Sequence, residues 1–458
     1  MGEAVDIQGK KIPGIYHKKT VACMSNYVSH ELMSLTDEGH AYQTVDQLYS
    51  ACQRKNRKLS FTEYCDDLSS QIYGGFIHRE GKRLYMPFIW QLEESSAEKL
   101  SKILLDNSVK CKPLKTEPFL VDGKPLAGEQ ENAVNLVRAN KLCAVVGGGG
   151  TGKTTVAKVI SQCKDWPGFS VFCAPTGKAC QNFRMKTGLP AMTLHSALGL
   201  GSNRDYSHKI AWSYVGLVVV DEASMMDLEM LEDLLGKVQP HCHVVLMGDV
   251  QQLPSVDTGN VLPDLIKMNI PHITLRENHR QSAECQGLCY NVFRFPEWTR
   301  MQDLMFDESF QMKELADNQL LDALVEDAVR LYKAGASVQV LSPYREKMDL
   351  CTERLNQILR DRINPYSEDK AEIRTNSGKV YREGDRVIIT RNDWKRRCCN
   401  GDVGILRIHR SYLEPSTFEV ELEDGRCPKW ECESCFSSMD LAYALTVHKA
   451  QGSGATRS

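Results

Sequence analysis

The sequence predicts a mixed α/β chain built on parallel sheets, with a β-rich insert late in the chain and a separate module at its start. Three observations carry that expectation. Residues 142–160 read as strand, glycine-rich turn and helix, with the turn in G-x-x-x-x-G-K-[ST] form. Short apolar runs follow, Val171-Phe172-Cys173-Ala174, Leu217-Val218-Val219-Val220 and His243-Val244-Val245-Leu246-Met247, each separated from the last by helical or polar sequence. Near-continuous apolar strands alternating with helices belong to a parallel sheet covered on both faces. From Tyr381 to about Cys435 the pattern changes to short alternating strands with turns, which fits a small barrel.

At 458 residues the chain is long enough for two to four domains. Its 42% apolar and 25% charged residues are ordinary for globular proteins. No apolar run approaches the ~20 residues that span a bilayer. The opening Met1-Gly2-Glu3-Ala4-Val5-Asp6 is acidic and polar, unlike a secretory leader, and Asp6 stands where N-acylation needs Ser or Thr. The 17 cysteines then read as reduced thiols in an intracellular, cytoplasmic or nuclear setting. A net charge of −3 gives no global basic field, so nucleic-acid contact has to come from local patches.

Taken in order, residues 1–115 carry no phosphate-binding pattern. Helical segments near Thr44–Tyr49 and over Ser60–Ile72 precede two short strands about a Glu80-Gly81 turn, an order that suggests a winged-helix-like module. The cluster Arg54-Lys55-Asn56-Arg57-Lys58 reads as a solvated helix end, with phosphate contact as the alternative. A helix over Glu93–Leu105 leads into a linker with Pro113, Pro118 and Pro125, where the first domain boundary falls. Gly128 to Val134 opens a helix just before the phosphate-loop strand. Its Gln130 offers both a donor and an acceptor, which suits an adenine edge.

Gly147 to Thr154 then forms the candidate triphosphate site. Gly147, Gly150 and Gly152 let backbone N–H groups face an anion, and Thr151, Lys153, Thr154 and Thr155 lead into a helix whose start adds unpaired N–H groups. Lys153 reaches the β- and γ-phosphates, and Thr154 is placed to ligate Mg²⁺. After Val220 comes Asp221-Glu222-Ala223-Ser224. Asp221 is placed to hold Mg²⁺ and Glu222 to polarise the attacking water, against the plainer reading of an acidic helix cap. The strand ending at Met247 continues into Gly248-Asp249-Val250-Gln251-Gln252-Leu253-Pro254, where Gln252 is positioned to sense the γ-phosphate. Such ligands sit beyond the carboxyl ends of the strands.

These motifs, with Ala174-Pro175-Thr176-Gly177-Lys178-Ala179, Thr193-Leu194-His195, Leu275 to Gln281, Val340-Leu341-Ser342-Pro343, Asn400 to Gly404 and Leu441 to Gly452, resemble the RecD-like helicases of superfamily 1, the 5′→3′ branch, over about residues 126–452. The resemblance implies two RecA-like domains with ATP between them. They would span 116–275 and 276–380 plus 436–458, with a small barrel inserted at 381–435 and the accessory module at 1–115. It implies an ATP- and Mg²⁺-dependent DNA helicase that moves 5′→3′ on single-stranded DNA, acts at single-strand/duplex junctions as a monomer, and serves repair, recombination or replication. By position, Gln130 would read adenine. Arg280 would reach the γ-phosphate and neutralise charge developing in the transition state. Pro175, Thr176, Lys178, His195, Tyr344, Thr446, His448 and Lys449 would touch the DNA strand, a backbone-reading and sequence-tolerant contact.

The chain departs from the family's pattern after Gly452. There the family continues through another strand and helix to a second arginine, and Ala455-Thr456-Arg457-Ser458 lies too near Gln451 to stand in for it. The expectation is a C-terminally incomplete motor that binds ATP and DNA but turns over poorly; the alternative function is an ATP-dependent nucleic-acid-binding protein with an impaired motor. The stretch Gly199–Trp212 stands where the family carries a duplex-splitting pin, though a simple loop is nearly as good a reading. The loop Arg391-Asn392-Asp393-Trp394-Lys395-Arg396-Arg397 reads as DNA contact or as a solvated loop. Cys398, Cys399, Cys427, Cys432 and Cys435 include one C-x-x-C pair without a second of matching spacing, so reduced thiols are expected in preference to zinc.

Overall fold

The structure, a computed structural model, describes residues 27–106, 120–121, 124–126, 128–163, 166–200, 210–277, 305–346, 348–375, 378–393, 395–396, 398–409, 417–431 and 433–451. The chain divides into two compact units: Met1–Pro175 with Leu194–Arg280, and Thr176–Thr193 with Gln281–Ser458. Among the described residues no helix is long and apolar enough to cross a membrane.

The first unit opens with α1 (Tyr27–Asp37), β1 (Gln43–Thr44), α2 (Val45–Lys55), α3 (Phe61–Tyr73), β2 (His78–Glu80), β3 (Arg83–Tyr85) and α4 (Pro87–Leu105). Both α2 and α3 begin with a full capping box, Thr44 with Gln47 and Ser60 with Glu63. Each reciprocal pair satisfies otherwise orphaned N–H groups, a contribution of about 1 kcal/mol. The three strands pair antiparallel in the order β1-β3-β2. Helix α4 starts six residues earlier than its sequence pattern suggested, because Pro87 sits in the first turn, where its missing N–H is harmless.

A short ladder of β4 (Leu120–Val121) and β5 (Lys124–Pro125) leads to α5 (Gly128–Ala139), β6 (Leu142–Gly147), α6 (Lys153–Gln162) and β7 (Phe169–Ala174). The chain returns to this unit with α8 (Leu194–Leu198), β9 (Val215–Val220), α9 (Leu228–Lys237), β10 (His243–Gly248), α10 (Val261–Lys267) and β11 (His272–Leu275). Its parallel strands lie in the order β11-β6-β10-β9-β7. Every residue of β6, β9 and β10 is buried, as a sheet covered on both faces requires. The buried cluster beneath it also takes in Leu32, Leu48, Ile89 and Leu100, so the opening module and the parallel sheet share one core.

The second unit holds α7 (Gly177–Thr187), β8 (Met192–Thr193), α11 (Asp317–Lys333), β12 (Val340–Ser342), α12 (Thr352–Ile363) and the hairpin of β13 (Glu372–Arg374) with β14 (Val380–Arg382). Then come β15 (Arg386–Ile389), β16 (Val403–His409), β17 (Thr417–Leu422), β18 (Lys429–Trp430), β19 (Met439–Leu441), β20 (Ala444–Thr446) and α13 (Val447–Ala450). Strands β15 to β19 make a five-stranded sheet in the order β18-β17-β16-β15-β19, antiparallel throughout. This sheet runs past Cys435, the expected end of the insert, because Met439–Leu441 pairs with β15 and the Tyr381 hydroxyl donates to Met439 O at 2.8 Å.

Candidate nucleotide and DNA sites

Strand register gathers the nucleotide-site residues. Val220 of β9 pairs with Leu246 of β10, and Leu246 pairs with Ala144 of β6. Adjacent strands stand about 4.8 Å apart, so the three chains leave the sheet side by side at its carboxyl edge. From that edge emerge the glycine loop, Asp221-Glu222 and the Asp249–Gln252 turn. A Cβ placed on Gly248 would lie 3.1 Å from Ser224 N, which shows how closely β10 ends against the turn after Glu222.

The loop itself is shaped by backbone that only glycine adopts freely. Gly150 and Gly152 have φ of 90° and 93°, and a Cβ on Gly152 would fall 2.0 Å from Gln130 Nε2. Thr151 is buried; its Oγ1 donates to Gly148 O at 2.8 Å. Gln130 Nε2 donates to Thr151 O at 3.4 Å, which fixes the α5 start against the loop. Lys153 Nζ curls over the loop and donates to the Gly147 and Gly148 carbonyls. Gly152 caps α6 without a side-chain hydrogen bond, and Thr154 and Thr155 are half-buried in the first turn. A helix start with N–H groups not closed by a side chain is the standard cradle for an anion.

Asp221 N donates to Cys173 O at 2.8 Å, which locks the residue to the end of β7. Glu222 has φ 52° and ψ 39°, a left-handed backbone rare for a non-glycine residue. Such conformers cost about 1–3 kcal/mol and cluster at functional sites. No local pattern of residues announces this strain. Asp249 Oδ1 accepts from Gln251 N at 3.0 Å, and its carbonyl accepts from Gln252 N at 3.1 Å, so the turn presents Gln252 in a defined place. Glu129, beside Gln130, accepts from Arg276 N at 2.7 Å and from Glu277 N at 3.2 Å. Arg280 lies outside the described residues.

A second group forms in the other unit. Strands β12 and β20 pair in parallel with Ser342 opposite Thr446, so Tyr344, Thr446, His448 and Lys449 emerge from one end of the pair. Asn356 holds β20 there: its Nδ2 donates to Ala444 O at 2.9 Å and its Oδ1 accepts from Ala444 N at 2.8 Å. That buried clamp has no motif in the sequence to announce it. Thr446 caps α13 by accepting from Lys449 N at 3.3 Å, and Tyr344 is 48% exposed. Thr176 caps α7, accepting from Ala179 N at 3.2 Å, while Lys178 Nζ stands 4.0 Å from Glu423 and Lys449 Nζ 3.6 Å from Asp440. A phosphate would compete with those carboxylates for the two ammonium groups. Pro175 and the exposed His195 belong to the first unit.

The remaining candidates divide. Arg396 is taken up internally: it pairs with Asp393 at 2.7 Å, donates to Lys429 O at 2.6 Å and lies over the Trp430 ring. Trp394, Arg397, Cys432 and the 201–209 segment lie outside the described residues. Burial, with Asp393 and Asp402 nearby, pushes the Cys398 thiol up to about 12, and Cys399 is raised for the same leading reason. Among the described residues no His, Cys, Asp or Glu group is arranged to hold a metal ion.

The family described as an AAA domain matches residues 125–291, and that described as the ATP-dependent RecD-like DNA helicase SH3 domain matches residues 355–421. The ATP-dependent RecD2 DNA helicase of Deinococcus radiodurans is 31% identical over 385 residues, which cover 81% of this chain and 50% of that protein. The RecD subunit of the RecBCD enzyme of Mycolicibacterium smegmatis is 27% identical over 366 residues, 71% of this chain and 64% of the relative. Among solved structures, the Bacteroides Pif1 helicase in complex with ADP-AlF3 and ssDNA aligns with a TM-score of 0.45 at 18% identity, over 72% of this chain and 84% of that one. A phosphate loop, an Asp-Glu turn and a parallel sheet joined in this way define a RecA-like P-loop NTPase core. The chain belongs to the RecD-like helicases. It spans half to just under two thirds of the length of these two curated relatives.

Proposed function

We propose that this chain is the ATP-driven motor of a DNA helicase that moves 5′→3′ on single-stranded DNA and opens duplex at junctions. The observation that carries the reading is the single sheet edge from which the Lys153 loop, Asp221-Glu222 and the Gln252 turn all emerge. In this reading the loop N–H groups and Lys153 bind the phosphates, Gln130 meets adenine, and Glu222 takes a proton from the attacking water. Gln252 contacts the γ-phosphate, and Arg280 stabilises charge as the bond breaks. Thr154 and Asp221 suit Mg²⁺, because both supply hard oxygen donors, Thr154 in the first turn of α6 and Asp221 directly after β9. When bound, Mg²⁺ neutralises phosphate charge.

The domain reading follows the same line. Residues 1–115 act as a winged-helix-like accessory module, 116–275 as the first RecA-like domain, and 276–380 with the segment that follows the small β insert as the second. Pro175, Thr176, Lys178, His195, Tyr344, Thr446, His448 and Lys449 contact the strand backbone. Support comes from the shared exit of four of them from β12 and β20. The test is ATP hydrolysis with and without single-stranded DNA, beside Lys153→Ala and Glu222→Gln. Stimulation that is lost in both variants establishes a DNA-dependent motor. Binding of ATP and DNA without stimulated turnover would make the chain a nucleotide-gated DNA-binding protein instead.

A further inference from the structure

The connection from β10 to α10 carries Gln252 and has no regular secondary structure. Its outgoing limb is held by Asp249. Beyond Gln252 it runs through Val256, which is 62% exposed, and would be loose if nothing held its return. The return limb has three anchors. Leu228 N, at the start of α9, donates to Thr258 O at 2.9 Å. The other two come from the N-terminal module: Thr258 Oγ1 donates to Thr36 O at 2.8 Å, and Gly259 N donates to Gly39 O at 3.4 Å. Gly39 has φ 97°, and a Cβ there would stand 3.2 Å from Val256 O, so the turn after α1 meets the loop backbone closely.

The module also grips α9, the helix that continues from the Glu222 turn. Ser95 and Ser96 of α4 donate to Glu232 at 2.7 and 3.1 Å, and Lys99 pairs with the same carboxylate. The two segments that bear Glu222 and Gln252 are therefore both fastened, at their far ends, to one body outside the parallel sheet. That body shares the sheet's buried core, so it moves with it rather than swinging on a tether.

We infer that the N-terminal module is a positioning element for hydrolysis, with Thr258 as the joint that sets where Gln252 stands relative to Glu222. The inference rests on the reading of those two residues as the hydrolytic pair. Misplacement of a catalytic group by about 1 Å can lower turnover by as much as roughly a hundredfold, so the signature to look for is a fall in kcat with KM held.

The experiment uses the full chain with Thr258→Val, Gly39→Ala and, as the variant that keeps the hydroxyl, Thr258→Ser. Amide hydrogen exchange and steady-state ATP hydrolysis are measured on each. Thr258→Val and Gly39→Ala are expected to speed exchange at residues 250–257 by about tenfold or more, with β6 and β9 unchanged, while Thr258→Ser keeps the loop protected. In the first two, kcat falls about tenfold and KM stays within about twofold. Wild-type protection of the loop in Thr258→Val overturns the inference, and so does faster exchange spread evenly over β6 and β9, or a loosened loop with unchanged kcat. A loop that responds as expected in a chain that hydrolyses no ATP sinks the hydrolytic reading and leaves the anchoring intact.

Discussion

The parallel sheet of the first unit and the antiparallel sheet of the second solve burial in opposite ways. In β6, β9 and β10 every side chain is inside, and chemistry appears only where the strands stop. Along β17 and from Ile405 onward in β16, buried positions alternate with more exposed ones, and the outward positions pair across the sheet: Arg407 with Glu421 at 3.0 Å, and Glu419 with Lys429 of β18 at 3.2 Å. A sheet covered on both faces has no surface to offer, so its function collects at one edge. A half-covered sheet presents a face instead, and here that face is largely neutralised by its own ion pairs.

The sharpest way to test that contrast is to strike the edge. Glu222→Gln is expected to lower DNA-stimulated kcat by about 10²–10⁴-fold with nucleotide binding retained. A loss of less than about tenfold would move the base to another residue. Next in size are paired core deletions. Leu246→Ala and Leu406→Ala, each fully buried, should destabilise their own sheets by about 2–5 kcal/mol. Only the first should also abolish fluorescent-nucleotide binding, and if both do so the edge is not a local property of the parallel sheet.

A smaller effect is expected from pH at the α4–α9 contact. Burial alone would raise the Glu232 carboxyl, but Lys99, Ser95 and Ser96 outweigh it and hold the group below its ordinary range. A depressed carboxylate contributes stability fully above its unfolded value, about 4.3, and loses it as pH falls through the lower folded value. The melting temperature should therefore drop more steeply below about pH 4.3 in the wild type than in Glu232→Gln. Parallel pH profiles would show that the contact does not depend on the charge. The smallest change is expected from Arg407→Ala, an exposed pair worth about 0.2–1 kcal/mol, read by denaturant midpoint and weakened by salt.

Much of the site was legible because its residues are contiguous in the chain. Gly147 to Thr154 and Asp221-Glu222 each need only a strand before them, and the strands declared themselves as unbroken apolar runs. The capping residues Thr44 and Ser60 were within reach for the same reason, since a cap and its partner are three residues apart. Asn356 was not legible, because its partner Ala444 lies 88 residues away and no local pattern demands an asparagine in mid-helix. Asp385 is a similar case. It is fully buried, accepts from Asn364 Nδ2 at 2.8 Å and from the Tyr443 hydroxyl at 3.0 Å, and burial pushes its carboxyl up despite those bonds.

The order of short-range signals along the chain determined the class of fold, the phosphate loop and the carboxylates that follow it, because each depends on residues within one turn or one strand. Tertiary structure alone decided which strand stands beside which, and hence that Lys153, Glu222 and Gln252 leave one edge together. It also decided that Glu222 takes a left-handed backbone and that Thr36 and Gly39 hold the loop beyond Gln252. Those choices come from pairing and packing between segments distant in the chain, 222 residues apart in the case of Thr36 and Thr258, where many partners are compatible with the same local sequence and only the shared core selects one.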